Sequence, residues 1–317
     1  MKDFRGKLVM VTGSASGIGR AIAMLFCKEG ADLALVDIDM EGLESLAREI
    51  EGLGGKAHLY VADLRDHEQV AELKRKLQGD AGIPDVLVNA AGVAIVCCVE
   101  EASLDDWHWV LDLNLWGCIN VVHAFLADMF ASGSGHVVNM ASVAGLFAVP
   151  YQAPYSTSKH ALMGLTESIR QEGKRHGVSA TAVCPGAIRT PIIDSARLIG
   201  FSDSVTEMAH HITGSPEKLA TAILAGVKKN KPVVLYPGYA KVLYGLKRIS
   251  LRLADVLGAI VAKGFYSRHR VKQTTGKLPR CVKGSFQQAL CGKTGNLRVS
   301  IPRRRPLLAS LRPSSDD

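Results

Sequence analysis

Cysteine motifs and long apolar runs are both missing from this sequence of 317 residues. The seven cysteines are odd in number and form no C-x-x-C pair, which excludes a disulfide framework and a cysteine zinc site. The uncharged run 129–158 is interrupted by Gly, Ser and Pro, so it cannot form one membrane-spanning helix. The first residues lead directly into a strand pattern without signal-peptide architecture. These absences predict reduced thiols and a cytoplasmic location.

The net charge of +8 is distributed unevenly along the chain. Residues 1–238 carry 21 basic and 27 acidic side chains, residues 239–270 carry seven and one, and residues 271–317 carry ten and two. We expect no nucleic-acid partner, because the main body is mildly acidic and charge runs are usually solvated. No repeat or long linker precedes residue 270. We therefore predict one domain over 1–238, a basic amphipathic helix over 239–270 and a disordered basic tail over 271–317.

Apolar runs alternate with helical patterns through the first 238 residues. Seven runs read as buried strands, at 7–13, 32–39, 56–64, 84–92, 135–145, 178–188 and 232–238. Strands that are apolar on both faces and separated by helices indicate a parallel sheet covered on both sides. Right-handed crossovers then give an α/β fold, a Rossmann-type doubly wound sheet of about seven strands. Residues 104–130 read as one long helix.

Three glycines, Gly13, Gly17 and Gly19, lie between the first strand and the first helix. Glycine permits close backbone approach, and the free amides at a helix N-terminus suit a pyrophosphate. The second strand ends at Asp37, where a carboxylate accepts hydrogen bonds from ribose hydroxyls and repels a 2′-phosphate. No Arg or Lys stands in the loop 13–19 or beside Asp37 in sequence, which favours NAD over NADP.

Tyr155 and Lys159 stand four residues apart on a predicted helix, and such residues are neighbours on a helix surface. The pair is either incidental or a device in which the ammonium lowers the phenol pKa. A shift from ~10 to ~7 requires about 4 kcal/mol in favour of phenolate. One ammonium at ~4 Å supplies about that amount at an effective dielectric of ~20.

Over roughly residues 5–240 the chain resembles the short-chain dehydrogenases/reductases. The resemblance is carried by the glycine loop, "ADL" at 62–64, "NAAG" at 89–92, "LNLWG" at 113–117, Ser142, Tyr155-x-x-x-Lys159, and "PG" at 185–186 followed by Thr190. These elements occur in the family's order and at its usual separations. Any one of them alone is weak, whereas together they are highly specific.

The resemblance implies a role for each matching residue. Tyr155 is expected to be the general acid/base, Lys159 to hold the nicotinamide ribose, Ser142 to orient the substrate oxygen, and Asn114 to anchor a water. Asp63 is expected to contact the adenine. The expected cofactor-binding residues are Gly13, Ser14, Ser16, Gly17, Ile18, Gly19, Asp37, Asp63, Leu64, Asn89, Ala90, Gly92, Tyr155, Lys159, Pro185, Gly186 and Thr190. Ser142 and Tyr155 are expected to bind substrate.

The expected activity is hydride transfer between NAD(H) and a secondary alcohol or ketone. Two alternatives stay open, a non-catalytic NAD-binding scaffold and an epimerase or dehydratase of the related extended group. We assign no metal, because the histidines show no ligand spacing. Trp107, Trp109 and Trp116 recur at helical spacings and are predicted to serve packing or an interface. The family resemblance also suggests a homodimer or homotetramer.

The residues predicted to face the substrate are apolar. They are Leu146, Phe147, Val149, Tyr151, Ile192, Ile193, Leu198, Ile199 and Phe201, and they favour a hydrophobic substrate. In 239–270 a helical wheel places Lys241, Arg248, Arg252 and Lys263 on one side and Leu243, Leu246, Leu253, Leu257 and Ile260 on the other. This helix either packs on the body or on a partner subunit, or lies on an anionic membrane.

Overall fold

The structure, a computed structural model, describes residues 1–211 and 213–271. Met1–Val271 form one compact unit. Its main sheet has seven strands: β1 (Leu8–Thr12), β2 (Asp32–Asp37), β3 (Ala57–Val61), β4 (Val86–Asn89), β6 (Gly135–Met140), β7 (Val178–Pro185) and β9 (Val233–Tyr236). They are hydrogen-bonded in the order β3-β2-β1-β4-β6-β7-β9, and every pairing is parallel. The predicted seven-stranded doubly wound sheet is confirmed.

Helices alternate with these strands along the chain. They are α1 (Gly17–Lys28), α2 (Met40–Gly52), α3 (His67–Asp80), α4 (Leu104–Leu111), α5 (Cys118–Ala131), α6 (Ala153–Gly173), α7 (Pro191–Asp194), α8 (Ser204–His211), α9 (Pro216–Lys228), α10 (Gly238–Ile249) and α11 (Leu251–His269). Short-range signals set several boundaries. The Asp39 and Asp66 carboxylates accept hydrogen bonds from the first-turn amides of α2 and α3, which satisfies donors that have no partner within the helix.

Successive side chains of the central strands point to opposite faces of the sheet, and both faces are buried. In β1, Val9 and Val11 join the core formed with α1, α2 and α9, whereas Leu8 and Met10 join the core formed with α3, α5 and α6. This two-sided burial explains why the strands read as continuous apolar runs rather than as alternating ones. It also leaves the carboxyl ends of the strands as the edge at which polar residues collect.

The predicted helix over 104–130 is interrupted. Between α4 and α5, Asp112–Gly117 form a π-helical segment that contains Asn114. The whole run Leu104–Ala131 is long and apolar enough to span a membrane by length and composition. However, Val121, Val122 and Phe125 are buried in the core beside the sheet. The run is therefore a core helix of the fold, with a π-segment of the kind that is often found at functional sites.

Two short strands do not follow from the apolar pattern. β5 (Ile95–Val96) and β8 (Arg197–Leu198) pair in parallel and form a second, two-stranded sheet. With two residues each, they are too short to show a period. They join the segment after β4 to the segment after α7, above the carboxyl ends of the main strands.

The C-terminal region contains two helices and not the single predicted helix, because α10 ends at Ile249 and α11 begins at Leu251. Ile260, which the helical wheel placed on the side opposite the cations, is 63% exposed. The choice between packing and a membrane surface stays a prediction. The predicted tail beyond Val271 lies outside the described residues, as do the side chains of Leu243, Leu246, Arg248, Leu253 and Leu257.

One buried histidine makes the stability of this sheet dependent on pH. His136 in β6 is 2% exposed, and its Nε2 lies 2.8 Å from Thr181 Oγ1 in β7. Thr181 already donates its hydroxyl proton to Lys231 O, so His136 must donate to it through Nε2–H. Burial lowers the pKa of His136 to about 4, with the N-terminal amine and Arg170 acting in the same direction.

We expect His136→Gln to reduce the acid sensitivity of folding. In the wild type, the unfolded chain takes up a proton near pH ~6.5 but the folded chain does not until about pH 4, so stability falls through that window. The loss amounts to up to about 3 kcal/mol. Gln keeps a donor for Thr181 but does not titrate. Urea unfolding at pH 7.5 and 4.5 measures the effect.

His67→Gln is the matched control, because the His67 side chain is 79% exposed and should leave the pH dependence unchanged. If His136→Gln and wild type lose equal stability on acidification, His136 is not the group responsible.

Candidate active site

The glycine loop brings three backbone segments closer together than any side chain would allow. A Cβ on Gly19 would lie 2.0 Å from Gly13 O, and one on Gly13 would lie 2.7 Å from Ala91 Cα. Gly13 and Gly17 also have φ of +66° and +54°, the left-handed region that favours glycine. The end of β1, the start of α1 and the turn after β4 therefore form one close-packed cradle.

Thr12 and Asp37 hold this cradle to the neighbouring strands. Thr12 Oγ1 accepts hydrogen bonds from Ala90 N at 3.1 Å and from Ala91 N at 3.4 Å. Asp37 Oδ2 accepts from Ala15 N at 3.0 Å, and its Oδ1 accepts from Ile38 N at 2.7 Å. Asp39 N also donates to Oδ1 at 3.2 Å, so Asp37 is fixed against the loop by backbone amides and its Oδ2 retains a lone pair for a further donor.

A crevice of 360 Å³ runs from the glycine loop across the ends of β2, β3 and β4. Eleven of the predicted cofactor-binding residues line it: Gly13, Ser16, Gly17, Ile18, Gly19, Asp37, Asp63, Leu64, Ala90, Gly92 and Thr190. Sequence reasoning missed Arg65, Trp109 and Leu113, which line it as well. The structure therefore brings the glycine loop and the acid after the second strand to one site, as the motif order predicted.

Two predicted cofactor-binding residues point elsewhere. Ser14 is fully buried, and its hydroxyl donates to Val36 O at 3.3 Å, so its side chain serves the packing of β1 on β2. Asn89 Nδ2 donates to Asn139 Oδ1 at 2.8 Å in the neighbouring strand. Asn89 Oδ1 is buried without a hydrogen-bond partner among the described residues. An unpaired buried acceptor is costly, so it indicates a donor that the protein itself does not provide.

Asp63 is not free at the crevice. Its carboxylate receives Arg65 Nε and Nη2, the latter at 2.6 Å, and these hydrogen bonds lower the pKa of Asp63. Arg65 is a cation that lines the same crevice as Asp37, and the sequence did not reveal it because it lies on the loop after a different strand. Its guanidinium is held by Asp63, which limits what it can offer to an anion.

Asn114 joins the π-segment to the turn after β4. Its Oδ1 accepts from Val93 N at 2.8 Å, and its Nδ2 donates to Val93 O at 2.9 Å and to Ser158 Oγ at 3.3 Å. Asn114 is 1% exposed and satisfied by these partners. The contacts give it a positioning role for the loop next to α6, and the predicted water contact stays a prediction.

Tyr155, Lys159 and Ser142 come together above β6. Lys159 Nζ lies 5.4 Å from the centroid of the Tyr155 ring and donates to Met140 O at 2.8 Å. The Ser142 hydroxyl donates to Pro185 O at 3.4 Å and lies close enough to the Tyr155 phenol to lower its pKa. Ser142 caps a short 3₁₀ turn through Ala144 N, which fixes its hydroxyl. The two residues four apart in sequence therefore face one another, and a turn from another strand supplies the third.

The pKa values in this cluster reflect burial. Burial raises the pKa of Tyr155, and the Ser142 hydroxyl acts in the opposite direction. Burial also lowers the pKa of Lys159 to about 8, so its ammonium is still mainly charged at neutral pH. The net shift of the Tyr155 pKa in the protein alone is therefore upward. The predicted lowering of that pKa by Lys159 stays a prediction.

The residues after β7 approach the cluster from the other side. Thr190 Cβ would lie 3.1 Å from a Cβ on Gly17, so the loop after β7 touches the glycine loop. Gly186 N donates to Tyr236 O at 2.8 Å, and Tyr239 Oη accepts from Ala187 N at 2.9 Å. Pro185 and Gly186 themselves do not line the crevice.

The predicted substrate side is apolar, but it divides into two clusters. Tyr155 and Ile199 pack with Ile95 and Cys97 on one side of the β5–β8 pair. On the other side, Tyr151, Leu198 and Phe201 pack with Val96, Cys98, Val205 and Phe265 of α11. Tyr151 has φ of +63°, an uncommon conformation for a non-glycine residue, four positions before Tyr155.

The end of α11 is attached to this second cluster. Arg270 forms a bidentate ion pair with Glu101, and its guanidinium lies 5.4 Å from the Phe201 ring centroid. Val271 N donates to Gly200 O at 3.2 Å, and Ser202 N donates to His269 O at 3.0 Å. Helix α11 therefore packs against the residues that were predicted to face the substrate and is not an appendage.

We expect Gly19→Ala to destabilise the protein by about 1–3 kcal/mol, because its Cβ would overlap Gly13 O and force the loop apart. Gly79→Ala in α3 is the matched control, since nothing lies within 4 Å of the added Cβ. That change should be neutral or stabilising by up to about 1 kcal/mol. Free energies of unfolding in urea measure both variants, and equal effects would contradict the close approach.

The crevice, the glycine cradle and the Tyr–Lys–Ser cluster can now be compared with known proteins. Residues 7–198 match the family model described as short chain dehydrogenase. Over 274 residues the chain is 35% identical to the putative oxidoreductase SadH of Mycobacterium tuberculosis, covering 84% of this chain and 94% of that relative.

Two solved structures are similar in fold. One is a short chain dehydrogenase/reductase from Burkholderia phymatum in complex with NAD, with a TM-score of 0.74 and 26% identity, covering 80% of this chain and 96% of that one. The other is a gluconate 5-dehydrogenase from Burkholderia cenocepacia in complex with NADP and tartrate, with a TM-score of 0.68 and 26% identity, covering 76% and 97%. The chain belongs to the short-chain dehydrogenase/reductase family of oxidoreductases.

Proposed function

We propose that this protein is an NAD-dependent dehydrogenase that interconverts a hydrophobic secondary alcohol and its ketone. The observation that carries the proposal is the Tyr155–Lys159–Ser142 cluster beside a crevice with a glycine cradle, in which Lys159 and Ser142 are buried and Tyr155 is half-buried. A scaffold that only binds a dinucleotide needs the cradle but has no use for a buried ammonium facing a phenol. An epimerase or dehydratase would give no net change in cofactor oxidation state, so cofactor turnover separates the alternatives.

The crevice fits a dinucleotide on three grounds. The glycine cradle leaves room that a Cβ would fill, Gly17 and Ile18 at the start of α1 line the crevice, and Asp37 stands where ribose hydroxyls are bound in this type of fold. Gly17, Ile18 and the following amides of α1 would hold the pyrophosphate. Bound NAD(H) supplies the hydride acceptor or donor.

The chain's own residues then move the proton and fix the oxygen. Tyr155 takes the proton from the alcohol oxygen in oxidation and returns it in reduction, while Ser142 holds the same oxygen by a hydrogen bond. Burial raises the pKa of Tyr155, so the charge of Lys159 and of an oxidised nicotinamide are needed to favour phenolate. A net stabilisation of about 4 kcal/mol brings a phenol from ~10 to ~7.

A hydrophobic substrate is favoured by the side chains that pack around Tyr155. Ile95, Cys97, Val110 and Ile199 surround it, and none of them carries a charge. Following NADH absorbance across a panel of alcohols and ketones tests this choice. Faster turnover of small charged substrates than of apolar ones would contradict it.

Tyr155→Phe should lower kcat by about 10² to 10⁴, because it removes the general acid/base. Binding of NADH, measured by its fluorescence, should stay nearly unchanged. Tyr60→Phe is the matched control, since it also removes one hydroxyl, which bonds Asp80 on α3 and lies away from the cluster. Near wild-type turnover in Tyr155→Phe would exclude this mechanism.

Asp37→Asn should relax the preference for NAD over NADP. The wild type should favour NAD in kcat/KM by about tenfold or more, since a carboxylate repels the 2′-phosphate and Arg65 is already held by Asp63. Asn keeps an acceptor but loses the charge, whereas Asp37→Glu keeps the charge and should retain the preference. Better use of NADP by the wild type would show that Arg65 dominates.

The expected dimer or tetramer also stays a proposal. Trp116 and Leu104, on the α4–α5 run, are 55% and 78% exposed in the single chain. Large apolar side chains exposed on a core helix are consistent with contact between copies.

A further inference from the structure

The last helix, α11, has two apolar faces, and the body of the protein occupies only one of them. On the inner face, Tyr151 Oη donates to Ala262 O at 3.2 Å, and the Phe265 ring stacks on Tyr151 with centroids 5.6 Å apart. His269 is buried and its Nδ1 lies 2.7 Å from Ser204 Oγ. These contacts fix which side of the helix faces solvent.

The outer face carries a short apolar stripe between two cations. Arg252, Val256, Ile260 and Lys263 fall within about 80° of the helix circumference. Val256 is 57% exposed and Ile260 is 63% exposed, while Arg252 and Lys263 are also exposed. The stripe extends over about 16 Å along the axis. Among residues 1–211 and 213–271, both aliphatic side chains stay largely exposed, so contacts within this part of the chain do not account for them.

The charged residues on and beside this stripe indicate which kind of partner can bind to it. Asp255 is the one acid in the sequence of α11. If a second copy of the chain docked with its stripe antiparallel to this one, Arg252 of each would oppose Lys263 of the other, and the like charges would repel. An anionic lipid surface attracts both cations and takes up Val256 and Ile260 between its headgroups.

We propose that the outer face of α11 is a docking surface for an anionic lipid bilayer. Helix α10 presents the same type of side chain, since Val242 is 71% exposed and Ile249 is 84% exposed. The two helices carry most of the basic excess of residues 239–270.

The docking surface borders a cavity next to the proposed active site. Lys263 and Tyr266 form one wall of a 790 Å³ cavity, and Val149, Tyr151 and Ala153 form another. Ala153 begins α6, the helix that carries Tyr155. The bilayer would then lie against one wall of that cavity. If the proposed function holds, an alcohol or ketone dissolved in the lipid is therefore a suitable substrate.

The test is co-sedimentation of the full chain with vesicles of phosphatidylcholine alone or with about one third phosphatidylglycerol. Wild type should bind the anionic vesicles, and Ile260→Glu should reduce the partition coefficient about tenfold. The matched control is Val261→Glu. Val261 is also 63% exposed but lies about 100° around the helix from Ile260, so its change should have little effect.

The cations give a second comparison. Arg252→Gln and Lys263→Gln should each weaken binding about fivefold, and the loss should disappear at high salt. The basic residues beyond 271 contribute attraction in every variant, so the differences between variants carry the result. Equal binding of the Ile260 variant and the Val261 control would overturn the proposal. The proposal would also be overturned if the protein self-associates, Ile260→Glu abolishes this self-association, and vesicle binding stays unchanged.

The outcome is independent of the proposed activity. NADH turnover with a water-soluble alcohol needs no vesicles, so an inactive protein that binds anionic vesicles refutes the proposed function and not the docking surface. An active protein that ignores vesicles refutes the docking surface alone.

Discussion

The burial of the Lys159 ammonium is the constraint on which the site depends. Removing a cation from water costs several kcal/mol unless hydrogen bonds or opposite charge replace the lost solvation. Here the described residues offer Met140 O at 2.8 Å and the face of the Tyr155 ring. Burial lowers the pKa of Lys159 to about 8. The ammonium is therefore mainly charged at neutral pH, although it loses its proton more readily than an exposed lysine does.

The surrounding backbone gives Lys159 little room to move. A Cβ on Gly145 would lie 2.5 Å from Lys159 O, and one on Gly92 would lie 3.0 Å from Asn114 Oδ1. The turns after β4 and β6 are therefore in direct contact with α6. Asn114 fixes the first turn through both backbone groups of Val93. The ammonium, the phenol and the crevice thus form a single rigid assembly at the carboxyl ends of three strands.

The sequence predicts those parts of this arrangement that depend on local pattern. Strands buried on both faces leave continuous apolar runs, and a backbone contact such as that between Gly19 and Gly13 O leaves a glycine. Residues four apart on one helix, such as Tyr155 and Lys159, must face the same side. These signals were sufficient to predict the sheet, the crevice and the central pair.

Contacts between distant segments leave no such pattern. Arg65 approaches Asp63 on the loop after β3, and Asn139 meets Asn89 across two strands, so neither is visible in a window of sequence. The π-segment around Asn114 was missed because its residues still read as helical. The orientation of α11 does not follow from the sequence either, since both of its faces are apolar and the hydrophobic period alone cannot choose between them.

The contacts of α11 show how one helix can serve both the site and a surface. Its inner face holds Tyr151 in a left-handed conformation, four residues before Tyr155, and the residues at its end bind Gly200 and Glu101. A strained residue persists only when its surroundings determine it, and here the aromatic stack with Phe265 does so. Tyr151 is therefore the contact through which α11 meets the segment that leads into α6, the helix that carries Tyr155.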